Sequence, residues 1–167
     1  LGVTAQLPMD EKHNYSESYI NARLRVLLAG RAAEQLIFNE VTTGAGNDIE
    51  VGTDMVRKMV CEWGMSRLMG PLKYGQKDQE VFLGRDIGKN RDYSDETAKR
   101  IDEEIHRIIK EAEHETNKIL KENENILHAI AKALLKFETI DGKDLDKIFV
   151  GKQIRRKTNK IKTGVKK

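Results

Sequence analysis

The sequence predicts a mainly α fold: a helical domain with a short edge strand and a small β-ribbon. Three observations lead there. Charged residues make up 34% of the chain and aromatics only 5%, with two prolines, a composition that suits helices better than a β-sandwich or a disordered chain. Apolar residues recur at threes and fours over long stretches. Strand-like signals are confined to the opening residues and to a glycine-spaced stretch at 70–92. At 167 residues the chain is long enough to bury a real core in one domain.

In chain order, Val3, Thr4, Ala5, Gln6 and Leu7 alternate like a strand and stop at Pro8. A polar turn, Met9 to Asn14, precedes Ser16, which is placed to cap a helix running to about Phe38. That helix carries Ile20, Leu24, Leu27, Leu28, Ala32 and Leu36 on one stripe. Val41-Thr42-Thr43-Gly44-Ala45-Gly46-Asn47-Asp48 is a small-residue loop. A second helix is expected from near Asn47 to about Trp63, with Gly64 as its stop. Residues 70–92, holding Pro71, Gly75, Gly84 and Gly88, read as the ribbon or an extended loop. From Ser94 a long helix is predicted, with Asp95 and Glu96 favourable in its first turn. Its stripe is Ala98, Ile101, Ile105, Ile108, Ala112 and Ile119, suited to packing within the chain or between subunits, the former preferred. A break at Asn123 to Asn125 leads to a helix from Ile126 to about Phe137. Asp141-Gly142 then turns into a last short helix ending near Phe149.

Bulk properties narrow the classes further. A lone cysteine, Cys61, excludes an intrachain disulfide and fits a reducing compartment. No apolar run approaches the roughly 20 residues of a bilayer span. The opening Leu1-Gly2-Val3-Thr4 has neither an initiating methionine nor a signal peptide, so it reads as the middle of a longer chain. Residues 151–167 hold eight Lys or Arg and no acid, leaving 22 basic against 27 acidic residues, a net −5, in 1–150. That tail is expected to be a disordered basic extension. It lacks the aromatic stacking partners of a nucleic-acid binder, so no nucleic-acid partner is expected.

A complete active site is not present in the sequence. P-loop, G-x-G-x-x-G, C-x-x-C, nucleophile elbow and H-E-x-x-H are all missing. His114-Glu115 begins like the last of these, but Lys118 stands where its second histidine belongs. His106 and His114 point away from the isoleucine stripe and read as exposed helix residues, and His13 and His128 are isolated. One acid is placed unusually. With Gly52 as the origin and about 100° per residue, Met59, Trp63, Met55 and Asp48 all fall within about 60°, while Glu50 and Asp54 lie about 160° away. A carboxylate on the core-facing side needs helix N–H groups, a cation or a metal. Gly52, one turn deeper, removes a side chain that would block close approach. From the pattern alone, a helix cap is the commoner role for such an aspartate. Arg31 also falls on the apolar stripe of the first helix, with Glu34 one turn away. The two read equally well as a half-buried ion pair or as an exposed pair of no consequence.

Leu1 to Pro8, Gly30-Arg31-Ala32-Ala33-Glu34, Val41 to Glu50, Trp63-Gly64-Met65-Ser66, Val81 to Arg85, Arg91-Asp92-Tyr93-Ser94, Ile101 to Glu104 and Glu138 to Gly142 form an ordered set of segments. Together they resemble the peptidase domain of the FtsH family. The resemblance runs in order through residues 1–150, which it identifies as the C-terminal part of a zinc metallopeptidase domain, and leaves out the tail at 151–167. It implies a zinc site built from two histidines of an H-E-x-x-H helix and one later aspartate. By that match Asp48 is the third zinc ligand, which displaces the cap reading. Glu34 becomes a residue beside the metal that orients its ligands, and Val3 to Leu7 an edge strand along which an extended substrate adds. The H-E-x-x-H helix is expected upstream of Leu1, so the chain alone is expected to be inactive: zinc needs more than one carboxylate and the reaction needs a general base. The resemblance further implies ATP-dependent hydrolysis of unfolded or tagged membrane and cytosolic proteins. It also implies an upstream AAA-type ATPase module using ATP and Mg, a homo-hexamer, and a membrane tether with the protease on the cytoplasmic side in bacteria or its organellar equivalent. The first rival is a non-catalytic helical scaffold that assembles rings, and the second a nucleic-acid-binding module that uses the basic tail.

Overall fold

Ser16 opens the first helix as its spacing predicts. Its backbone is extended (φ −76°, ψ 156°) and its hydroxyl accepts the Tyr19 N–H at 3.3 Å, satisfying one of the donors a helix start leaves free. Helix α1 (Glu17–Phe38) ends at Asn39, which adopts the left-handed conformation (φ 54°) that asparagine tolerates better than most residues. The computed structural model describes residues 14–75 and 93–154. The expected edge strand Val3 to Leu7, the expected ribbon beyond Gly75 and the tail beyond residue 154 lie outside them.

A 3-10 turn, Thr43–Ala45, leads into α2 (Gly46–Cys61). The remaining helices are α3 (Asp95–Glu122), α4 (Glu124–Phe137) and α5 (Gly142–Phe149). The fold is mainly helical, and no strand occurs among the described residues. Where the ribbon was expected, residues 70–75 are bends and irregular chain. Gly70 and Gly75 take φ of 74° and 96°, and the Tyr74 N–H donates to the Cys61 carbonyl at 2.8 Å while its hydroxyl donates to the Met69 carbonyl at 2.9 Å. These groups fold back onto the end of α2 and do not face a neighbouring strand.

The chain divides into two units, residues 1–119 and 120–167. The core of the first joins Ile20 and Leu24 of α1, Val56, Met59, Val60 and Cys61 of α2, Met69 of the following loop, and Ile101, Ile105, Ile108 and Ala112 of α3. Leu24, Val56, Met59 and Val60 are the most completely buried of its apolar side chains, each contributing about 1.5–3 kcal/mol by leaving water. Gly52 is buried at the α1–α2 contact, where an added Cβ would stand 3.2 Å from Leu24 Cδ1 and 3.9 Å from Leu27 Cδ1. The missing side chain therefore makes room for α1, not for a ligand approaching Asp48.

Two expectations fail at helix ends. Helix α2 stops at Cys61, so Trp63 leaves the predicted face and is 44% exposed. The Glu62 and Trp63 N–H groups both turn back to the Lys58 carbonyl at 2.9 Å, and Gly64 reverses the chain at φ 60°. The α3 stripe ends at Thr116, which is buried and donates to the Ala112 carbonyl at 2.7 Å, whereas Ile119 is exposed.

In the second unit the expected three-residue break shrinks to Asn123 alone, whose carbonyl accepts the Ile126 and Leu127 N–H groups at 2.9 and 3.0 Å. Helix α4 packs on α5, which Asp141 caps by accepting the Asp144 N–H at 2.9 Å. Ile148 and Asp144 are buried there, and Lys147 Nζ lies 3.1 Å from Asp144 Oδ1.

Candidate metal centre

Asp48 is the third residue of α2, on the turn above Gly52, Val56 and Met59, and it is half-buried where Glu50 and Asp54 are exposed. The wheel geometry thus separates it correctly from its acidic neighbours. It does not act as a cap. The residue at the cap position is Ala45, which has no side chain to donate or accept, and the Asp48 carboxylate takes no hydrogen bond or ion pair among the described residues. A half-buried carboxylate in that position is a hard anionic oxygen ligand available to a cation.

The turn that carries Asp48 is held from α1. Glu34 is half-buried near the end of that helix, and its carboxylate grips Thr42 with both oxygens. Oε2 accepts the Thr42 N–H at 3.0 Å, and Oε1 accepts its hydroxyl at 3.0 Å. The same hydroxyl oxygen accepts the Gly44 N–H at 3.2 Å, capping the 3-10 turn. Ala45, buried, pins that turn to the core. Arg31 is not the partner of Glu34. Its guanidinium reaches Glu113 of α3 at 2.9 Å, so the expected pairing one turn apart is replaced by a contact 82 residues away. The Glu113 carboxyl is held below the usual range by Lys110 first and by Arg31 after it.

Among the described residues no three His, Cys, Asp or Glu side chains come together as a metal site. Asp48 fits zinc as one oxygen ligand. His106 and His114 are exposed on α3, as expected, and His128 lies 3.6 Å from Glu124 on α4. Cys61 is buried in the core, where burial pushes its thiol up.

A second polar cluster was missed. Glu104 is 1% exposed. It accepts the Ser66 hydroxyl at 2.6 Å and two guanidinium bonds from Arg107, at 2.7 and 3.0 Å. Its carboxyl is held below the usual range by the Arg107 bonds first, against burial. A pocket of about 290 Å³ opens beside it, lined by Asn21, Arg25, Met59, Ser66, Arg107 and Glu111 among others; neither Asp48 nor Glu34 lines it. A signal for Glu104 existed: about 100° per residue puts it roughly 40° from Ile108, on the buried stripe.

The sequence profile described as Peptidase family M41 matches residues 1–148. The chain belongs to peptidase family M41. Among curated relatives, the "ATP-dependent zinc metalloprotease FtsH" of Acidobacterium capsulatum is 49% identical over 154 residues, covering 92% of this chain and 24% of that protein. The "ATP-dependent zinc metalloprotease FtsH 1" of Thermoanaerobacter sp. is 48% identical over 153 residues (92% and 25%). That of Bdellovibrio bacteriovorus is 47% identical over 152 residues (90% and 23%). The chain therefore spans about a quarter of the length of the relatives it matches. Within this M41 chain, no described helix is long and apolar enough to cross a membrane.

Proposed function

We propose that this chain supplies the C-terminal part of the peptidase domain, residues 1–150, of an ATP-dependent zinc metalloprotease, with Asp48 as the third zinc ligand. Family membership supports the reaction. The single observation that carries the ligand is the half-buried carboxylate of Asp48, unpartnered among the described residues, beside exposed Glu50 and Asp54. Bound zinc would acidify a water and polarise the scissile carbonyl. Asp48 contributes a fixed negative oxygen to the ligand set, and Glu34 orients the turn that presents it. Val3, Thr4, Ala5, Gln6 and Leu7 offer backbone groups to an extended substrate. The histidine ligands and the general base would come from an H-E-x-x-H segment of the whole protein.

The substrates are unfolded or tagged membrane and cytosolic proteins, delivered by an AAA-type ATPase module in the same protein, using ATP and Mg. The working form is a homo-hexamer tethered to a membrane, with this domain on the cytoplasmic side in bacteria or on its organellar equivalent.

Zinc content and casein hydrolysis of the full-length protein test this reading. Asp48→Asn is expected to abolish both while far-UV circular dichroism stays unchanged. A folded wild-type protein without zinc would make the domain a ring-assembly scaffold. Zinc retained in full by Asp48→Asn removes the ligand assignment.

A further inference from the structure

The Thr42 hydroxyl occupies a junction between α1 and the start of α2. It donates to Glu34 at 3.0 Å and accepts from the Gly44 N–H at 3.2 Å. Its own N–H is held by the other Glu34 oxygen at 3.0 Å. One residue thus joins the end of α1 to the 3-10 turn, and four residues beyond Gly44 stands Asp48. Between them Ala45 is buried and Gly46 begins the helix without a capping side chain. The turn before α2 is tied to α1 through Thr42 and is buried at Ala45, and no side chain caps α2 itself.

We infer that Thr42 is a positioning residue for the metal: its hydroxyl, gripped by Glu34, sets where the first turn of α2 presents the Asp48 carboxylate. This rests on Asp48 being a zinc ligand. The neighbouring Thr43 lies inside the 3-10 turn and makes no side-chain bond of this kind among the described residues, so the two threonines are not equivalent. Valine at 42 keeps the shape and removes both hydroxyl bonds. Serine keeps the bonds and removes only a methyl. Groups that orient a ligand from behind typically change metal affinity by about 10-fold to 100-fold when lost.

The test measures zinc affinity by chelator competition, and the visible spectrum of the cobalt-substituted form, in the full-length protein carrying Thr42→Val, Thr42→Ser, Glu34→Gln or Asp48→Asn. Thr42→Val is expected to weaken zinc by about 10-fold to 100-fold and to alter the cobalt spectrum, with Thr42→Ser restoring most of both. Wild-type affinity in Thr42→Val, or equal weakening in Thr42→Ser, overturns the inference. Should Thr42→Val not fold, Glu34→Gln is read the same way: it keeps one acceptor and is expected to weaken zinc by less, and wild-type affinity in it overturns the inference. Asp48→Asn separates the two claims. If it binds zinc as wild type does, the ligand assignment fails. If it loses zinc while Thr42→Val keeps it, only the role of Thr42 fails.

Discussion

Replacing Ser66 by alanine should cost far more than a surface serine would. Its oxygen donates to the buried Glu104 carboxylate at 2.6 Å and accepts the Met69 N–H at 3.1 Å, and Ser66 is itself only 4% exposed. A hydrogen bond to a charged group contributes about 1.5–3 kcal/mol, and a neutral one about 1 kcal/mol. Glu104 keeps both Arg107 bonds, so the loss stays below that of a buried charge stripped of every partner. The expected destabilisation is about 2–4 kcal/mol. Urea unfolding followed by circular dichroism should show a lower midpoint with unchanged slope. A double-mutant cycle with Glu104→Met isolates the pair. Arg107 is half-exposed and still reaches Glu111 at 2.8 Å, so it tolerates that change, and most of the Ser66→Ala cost should vanish in the Glu104→Met background. A Ser66→Ala cost below about 0.5 kcal/mol, the level of an ordinary surface change, would show that the cluster does not hold the post-α2 loop on α3.

Two further outcomes follow from the same geometry. The Glu104 and Glu113 carboxyls titrate below the ordinary value in the folded chain, so the unfolded chain binds more protons between the two values. The stability they contribute is full above the ordinary glutamate value of about 4.3 and is lost as pH falls through their lowered folded values. Glu104→Gln should flatten the fall in melting temperature below about pH 4.3, and an unchanged acid slope would refute its share. Gly64→Ala should destabilise by about 2–4 kcal/mol. Its φ is 60°, and the added Cβ would stand 2.8 Å from the Pro71 Cα, a backbone atom that cannot rotate away. A melting temperature equal to wild type would refute that contact.

What could be read in the sequence was local. Ser16 as a cap, Phe38 as the end of α1, Asp141 at the turn before α5 and the Ile101–Ala112 stripe depend on neighbours within a turn or two, and the structure has them all. The half-burial of Asp48 was legible for the same reason: helix periodicity separates it from exposed Glu50 and Asp54, whereas its reading as a ligand rests on the family resemblance. Partners far apart in the chain were not legible. Nothing near Arg31 indicates Glu113, and nothing in the i, i+3 spacing indicates that Glu34 turns outward to Thr42. Trp63 misled because periodicity continues past the point where Gly64 and the Lys58 carbonyl end the helix. Glu104 lay on the apolar stripe but beside Glu103, and that pair of acids resembles an ordinary solvated face.

The contact between Gly52 and Leu24 has a meaning for descent as well as for packing. An added carbon at 52 would come within 3.2 Å of a terminal methyl of Leu24, so the two positions share one fixed volume. Alanine at 52 gains helix propensity of about 1 kcal/mol only where residue 24 has given up a methyl or turned aside. Chains of this family that carry a larger residue at 52 should therefore carry a smaller or differently branched one at 24. Those two columns would vary together even though 28 residues separate them, and the spacing of α1 and α2, with the turn that bears Asp48, would be inherited as a property of the pair.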